Sequence, residues 1–311
     1  MLNHQVEPAR TLSRSGPLGF ILTNRWGVRP IIAIALVWAS DRLVKKMLGG
    51  LANPVQHSGT TDTLLLSPVL ITEFCRLAGL ILVFTLFSYI QKEPIGAWGY
   101  RDAKALKRLC WGLFFGFLFM STLVLSLWGA HLLIFLPSAF SLVETLRLGT
   151  LWALMFLLVG IFEESQCRGY LQYVLTRNIG FWWTGALMAL YFMYAHWTNQ
   201  GENMIGLITV GAFSLVACYS LWLTGSLWWA IGFHAAWDWT QSYFYGAANS
   251  GVVFEGHFLA VQPAGSDFWN GRMAGPEGTP LMLLWLLLSA IAMYLYWGRR
   301  TKRPLATVTS I

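Results

Sequence analysis

Apolar residues run through this chain in long blocks, and the polar residues between them gather in short clusters. A helix that crosses a bilayer needs about 20 mostly apolar residues. Eight blocks approach that length, at residues 29–48, 64–90, 109–135, 148–174, 181–200, 204–224, 226–246 and 280–298. The first is the weakest, because its clean run is only Ile31 to Ala39. Asp41, Arg42, Lys45 and Lys46 follow, and they are expected to snorkel to an interface. The second carries Glu73 and Arg76, three apart on one helix face, which reads as a structural pair inside the bundle. The pattern thus predicts an all-α fold, a polytopic helical bundle of about eight transmembrane helices.

Composition sharpens this. Of 311 residues, 56% are hydrophobic and only 11% are charged, where soluble domains carry about 25% charge. The chain divides into an N-terminal segment 1–28, a membrane domain 29–298 with a polar-cluster core at 148–246, and a basic tail 299–311. No stretch outside the apolar blocks can build a separate core. No internal repeat, low-complexity tract or cleavable signal peptide is evident. Cys75, Cys110, Cys167 and Cys218 lie in or beside apolar blocks without a C-x-x-C pair, which reads as free buried thiols. His131 reads as a hydrogen bonder between helices, and His257, in the Gly- and Pro-rich loop 247–279, as a solvated histidine.

The net charge of +7 does not point to nucleic acid, since the basic residues lie mostly between apolar blocks, where they set orientation. With eight spans and a cytoplasmic N-terminus, 14 Lys and Arg residues fall on the cytoplasmic side and 5 on the other. Arg76 and Arg168 lie within spans. This bias predicts both termini inside, in a multi-pass protein of the plasma membrane, and places the loop 247–279 outside. The basic segment from Lys92 to Arg108, with Pro94, Trp98 and Tyr100, reads as lying at the inner headgroups.

Three apolar blocks contain ionisable islands: Glu163-Glu164 to Arg168, His196, and His234 with Asp238. Ionisable groups at membrane depth mark functional sites by default. Counting ~1.5 Å per residue from the inner helix ends puts Glu163 at ~17 Å, His196 at ~22 Å, His234 at ~12 Å and Asp238 at ~18 Å. Four residues on three helices therefore share one layer. Glu164 and Arg168 are four apart in the favourable order for an ion pair, as are His234 and Asp238 for a hydrogen bond. Glu163 is turned about 100° from Glu164 and has no such partner, which makes it the reactive acid of the two.

Taken in order, Glu163-Glu164-x-x-x-Arg168, Phe192-x-x-x-His196 and His234-x-x-x-Asp238 resemble the motifs of the CAAX-protease and bacteriocin-processing (CPBP, or Abi) intramembrane endopeptidases. The resemblance covers residues 148–246. It implies an eight-helix bundle that hydrolyses a peptide bond of a membrane-associated protein or peptide. Glu163, Glu164, His196, His234 and Asp238 are the implied catalytic set, with Arg168 and Phe192 in support. Asp238 stands where the prenyl-protein proteases carry asparagine, so a direct oxyanion contact from that position is put in doubt.

The local chemistry fits such a reaction. Glu163, assisted by His196, can act as general base on water, and His234, oriented by Asp238, can donate to a developing oxyanion. Neither a G-x-S-G serine motif nor an H-E-x-x-H zinc motif is present. No cofactor is firmly implied, but a zinc ion on Glu163, His196 and His234 is a chemically sound alternative. Two readings of other classes use the same residues: a proton- or ion-coupled transporter, and an inactive membrane scaffold or immunity protein. The residues do not specify a substrate or an oligomeric state.

Overall fold

The computed structural model describes residues 23–24, 27–49, 55–58, 61–137, 141–199 and 201–298. Its helices are α1 Pro30–Gly49, α2 Leu66–Gln91, α3 Ala105–Gly129, α4 Leu142–Arg168, α5 Tyr170–Ile179, α6 Phe181–His196, α7 Met204–Thr224 and α8 Trp228–Asp238. A π-helical turn, Trp239–Phe244, continues α8, and α9 spans Pro280–Met293. Five segments are long and apolar enough to cross a membrane: Leu66–Gln91, Ala105–Gly129, Leu142–Ile179, Met204–Thr224 and Pro280–Gly298. The fold is that of a helical, multi-pass integral membrane protein.

Most of the predicted blocks reappear within a few residues. Block 109–135 stops early, because the helix ends at Gly129 and the chain turns into a strand. Block 148–174 breaks at Gly169, where α4 gives way to α5. A Cβ at Gly169 would stand 2.4 Å from the Ser165 carbonyl oxygen and 3.1 Å from the Tyr100 hydroxyl. Only glycine lets the chain turn so closely against its own helix end.

Short strands accompany the helices. The pair β1 Thr23–Asn24 and β2 Gly27–Val28 precedes α1. The hairpin of β3 Val55–Ser58 and β4 Thr61–Leu64 is joined by β6 Val252–Phe254, parallel to β4. β5 Leu133–Leu136 pairs antiparallel with β7 Ala260–Pro263. These strands tie the loop 247–279 back onto the bundle, so that it is built rather than loose.

Side-chain and backbone bonds define the two ends of the bundle. At one, Tyr173 donates to Glu93 (2.7 Å), the Leu227 amide to Gly99 (2.9 Å) and the Trp228 indole to Tyr100 (2.9 Å). These join the segment after α2 to α5 and to the start of α8. At the other, the Leu66 amide donates to Glu255 (2.6 Å), Thr209 to Glu277 (2.7 Å) and Asn249 to Asp238 (3.1 Å). These join the starts of α2 and α7 and the end of α8 to the loop 247–279.

Glycines decide where α8 sits. A Cβ at Gly112 or Gly116 of α3 would fall 2.3 Å from the carbonyl oxygen of Trp229 or Phe233, respectively. One at Gly232 would fall 2.4 Å from the Leu109 carbonyl, and one at Gly160 of α4 would fall 2.9 Å from that of Ile231. Small residues four apart let helix backbones meet in a bilayer. Helix α8 is thereby wedged between α3 and α4, which fixes the position of His234. The Gly112-x-x-x-Gly116 spacing was a readable signal for this contact.

Two side-chain expectations change. Asp41 does not snorkel; it is buried, and Arg76 Nε donates to it at 2.6 Å. His131 lies just past the end of α3 and is exposed, so it bridges no helices within the membrane domain.

Candidate active site

The three islands meet on α4, α6 and α8 around a cavity of about 530 Å³. Glu164 and Arg168 are fully buried behind its wall. Arg168 Nη1 donates to Glu164 Oε1 at 3.2 Å, as their spacing of four predicts. The same oxygen lies 2.9 Å from His234 Nδ1. A carboxylate beside Arg168 accepts, so Nδ1 of His234 is the donor. That leaves Nε2 facing the cavity, 3.5 Å from Asp238 Oδ2 and 3.7 Å from Glu163 Oε2.

The sequence reading gave the orientation of His234 to Asp238. The firm hydrogen bond instead comes from Glu164 on α4. The i,i+4 contact with Asp238 is longer, and Asp238 is itself held by the Asn249 amide at 3.1 Å. Among the described residues Glu163 has no such anchor: it reaches His234 only at 3.7 Å and lines the cavity.

His196 lines the cavity too, and its Nδ1 lies 2.8 Å from the Phe192 carbonyl one turn earlier in α6. That leaves Nε2 as the nitrogen free for chemistry. Among the described residues no hydrogen bond joins His196 to Glu163. Phe192 is a spacer. Its ring stands 4.6 Å from the His196 ring and 6.1 Å, edge-on, from that of His234, with the Arg168 guanidinium 5.0 Å from its centre. Phe213 of α7, which the sequence did not mark, packs 4.9 Å from the His234 ring.

Further polar groups complete the wall. Arg76 holds Asp41 through Nε and Glu73 through Nη1, at 2.6 and 2.8 Å to its two oxygens. Lys45 joins Asp41 at 3.1 Å. Glu277 is buried in the loop before α9, lines the cavity, and takes bonds from the Ser250 amide and hydroxyl. Burial pushes its carboxyl up to about 8, and that of neighbouring Glu202 to about 7. A glutamate in a Gly- and Pro-rich loop reads as solvated, so nothing in the sequence announced Glu277. In the same loop, His257 is half-buried rather than solvated.

Among the described residues no group of three or more His, Cys, Asp or Glu side chains is arranged to hold a metal ion. Within the set Glu163, His196 and His234, the Nδ1 of each histidine is already committed, to Phe192 and to Glu164. The four cysteines are free; Cys167 and Cys218 are buried, while Cys110 is exposed on the outside of the bundle, contrary to its reading as a buried thiol.

Fold and site together define a multi-pass helical membrane protein that encloses a carboxylate–histidine cavity. Residues 145–240, about a third of the chain, match the family described as Rce1-like, the type II CAAX prenyl endopeptidases. The match places this region, and with it all three islands, in the CAAX-protease (CPBP) family. That family is one of membrane-embedded hydrolases, as the motifs had implied. No curated protein matches the chain.

Proposed function

We propose that this protein is an intramembrane endopeptidase of the plasma membrane, with eight helical passes and both termini in the cytoplasm, in which Glu163 activates a water molecule. One observation carries the reading. Of the two adjacent acids, Glu164 is sealed behind the wall, where it is bonded to Arg168 and to the inner nitrogen of His234, while Glu163 faces the cavity with no hydrogen-bond anchor among the described residues.

Water held between Glu163 and His196 would lose its proton to Glu163 as its oxygen attacks the scissile carbonyl. His234 would act as the imidazolium: with Nδ1–H fixed on Glu164 and Nε2 flanked by the Glu163 and Asp238 carboxylates, it would donate Nε2–H to the carbonyl oxygen, where negative charge develops in a water-poor setting. The proton on Glu163 would then pass to the leaving amine. Asp238 lies on the other side of Nε2 and limits where the imidazole can swing. Substrates would be membrane-associated proteins or peptides.

A zinc ion on Glu163, His196 and His234 would supply the same hydroxide. Purified protein should cleave a quenched-fluorescent library of apolar peptides and keep that activity after exhaustive chelation. Activity lost on chelation and restored by one equivalent of zinc would sink the general-base scheme.

A further inference from the structure

We infer that the cavity opens to the non-cytoplasmic face, so that the enzyme acts on membrane-anchored polypeptide segments presented on the exported side rather than on the tails of cytoplasmic proteins. The substrate half of this inference rests on the proposed peptidase reading; the orientation of the cavity does not.

The two bonded ends of the bundle differ in what reaches the cavity. Its lining includes Lys45 near the end of α1, Leu64 just before α2, Asn199 after α6, and Asn249 and Glu277 of the loop 247–279. All belong to the end where Glu255 caps α2 and Glu277 meets α7. In the other direction, the chain beyond Arg168 runs into a buried core cluster that includes Tyr170, Leu171 and Val174. Phe84, Phe87, Trp98 and Tyr170 form one aromatic cluster there, with ring centres 4.4–6.2 Å apart. Gln91 and Tyr170 are hydrogen-bonded within it.

The packed end is the basic one. Lys92, Arg101, Lys104, Lys107, Arg108 and Arg177 surround it or lie in the segments that form it. Both chain ends also lead there: Val28, just before α1, packs in the cluster of Trp98 and Tyr170, and Trp297, after α9, meets Trp229 at the start of α8. In sequence, Arg10, Arg14, Arg25 and Arg29 precede α1, and Arg299, Arg300, Lys302 and Arg303 follow α9. The sum is 14 basic residues against 5 at the open end, a bias that assigns the packed end to the cytoplasm. The mouth therefore faces outward. Val69, Met155, Phe156 and Val159 give it an apolar flank on α2 and α4, suited to a segment leaving the bilayer.

Single cysteines read this orientation without any substrate. Cys75 and Cys110 would be replaced by alanine, while buried Cys167 and Cys218 stay. A membrane-impermeant maleimide should then label Lys45→Cys and Asn199→Cys in intact cells, and Arg101→Cys only after permeabilisation. The reverse pattern would overturn the inference. An impermeant quenched-fluorescent peptide library, offered to right-side-out and inverted vesicles, reads the substrate side. Cleavage abolished by Glu163→Gln is expected with right-side-out vesicles alone, and cleavage confined to inverted vesicles would also overturn it. Outward labelling with no cleavage in either orientation would leave the cavity facing outward and strike down the peptidase reading, and with it the substrate half.

Discussion

Two buried arginines stand beside the same cavity, Arg76 in its wall and Arg168 behind it, and they are furnished differently. Arg76 of α2 lies over the Phe162 ring at 4.1 Å and has two carboxylates: Asp41 accepts from its Nε, and both oxygens of Glu73 accept from Nη1. Arg168 of α4 lies over the Phe192 ring at 5.0 Å but has a single carboxylate oxygen, 3.2 Å away. Among the described residues its Nε and Nη2, and the second oxygen of Glu164, have no nitrogen or oxygen partner, and the Cys218 thiol is the other polar group beside the guanidinium. Buried polar groups are nearly always satisfied, and exceptions call for an explanation. The Asp41–Arg76–Glu73 group spends its polar atoms on itself and holds helices together. The Glu164–Arg168 group turns one oxygen to His234 and so ties the arginine to the cavity-facing imidazole.

The largest expected effect sharpens this contrast at its reactive end. Glu163→Gln keeps the shape of the site and removes its proposed base, so cleavage should fall by roughly 10²–10⁴-fold with thermal unfolding in detergent unchanged. Substantial residual activity would refute the role of Glu163.

Glu164→Gln should act on both fold and chemistry. It weakens the bond to His234 and leaves a buried guanidinium uncompensated, a defect that costs about 3–5 kcal/mol. Glu73→Gln is its counterpart in the Asp41–Arg76–Glu73 group. There the melting temperature should fall while activity per folded molecule persists, because Asp41 still holds Arg76. Silencing by Glu73→Gln at unchanged stability would erase the distinction between the two arginines.

Asp238→Asn should be milder still, about tenfold or less in rate, because Glu164 already fixes Nδ1 of His234. A loss as large as that of Glu163→Gln would mean that Asp238, rather than Glu164, sets the imidazole.

The smallest effect concerns Glu202 and Glu277. Both carboxyls titrate above their ordinary range when folded, so the folded state binds more protons than the unfolded one. Their contribution to stability is complete below about pH 4.5 and is lost as pH rises through about 7–8. Glu277→Gln should flatten the fall in melting temperature across that window. An unchanged slope would show that the pair does not bear on the fold.

The sequence was most readable where helical periodicity carried the message. The helix positions, the i,i+4 link of Glu164 to Arg168 and the shared depth of Glu163, His196 and His234 all follow from counting along single helices. Contacts between distant segments were not readable that way. The Asp41 bond to Arg76 was obscured because Asp41 lies among Arg42, Lys45 and Lys46, which look like an interface. The Glu164 bond to His234 joins residues 70 apart, and no periodicity reports it. Asn249 and Glu277 lie in a loop whose glycines and prolines suggested solvent. The small strands were missed because runs of two to four residues carry too little alternation to register.

The glycine-lined groove that receives α8 has a consequence for how the protein is made. Even with its π turn, the segment Trp228–Phe244 has 17 residues, about 25 Å of helix, and it carries His234 and Asp238. Alone it is a poor candidate for release from the translocation machinery into lipid. Gly112 and Gly116 of α3, synthesised more than a hundred residues earlier, supply the berth that shelters it. On the proposed reading, the cavity lacks His234 and Asp238 until most of the chain has emerged, and α8 docks onto helices already in place. A chain cut before residue 228 would lack both residues and should show no cleavage if the proposed scheme holds.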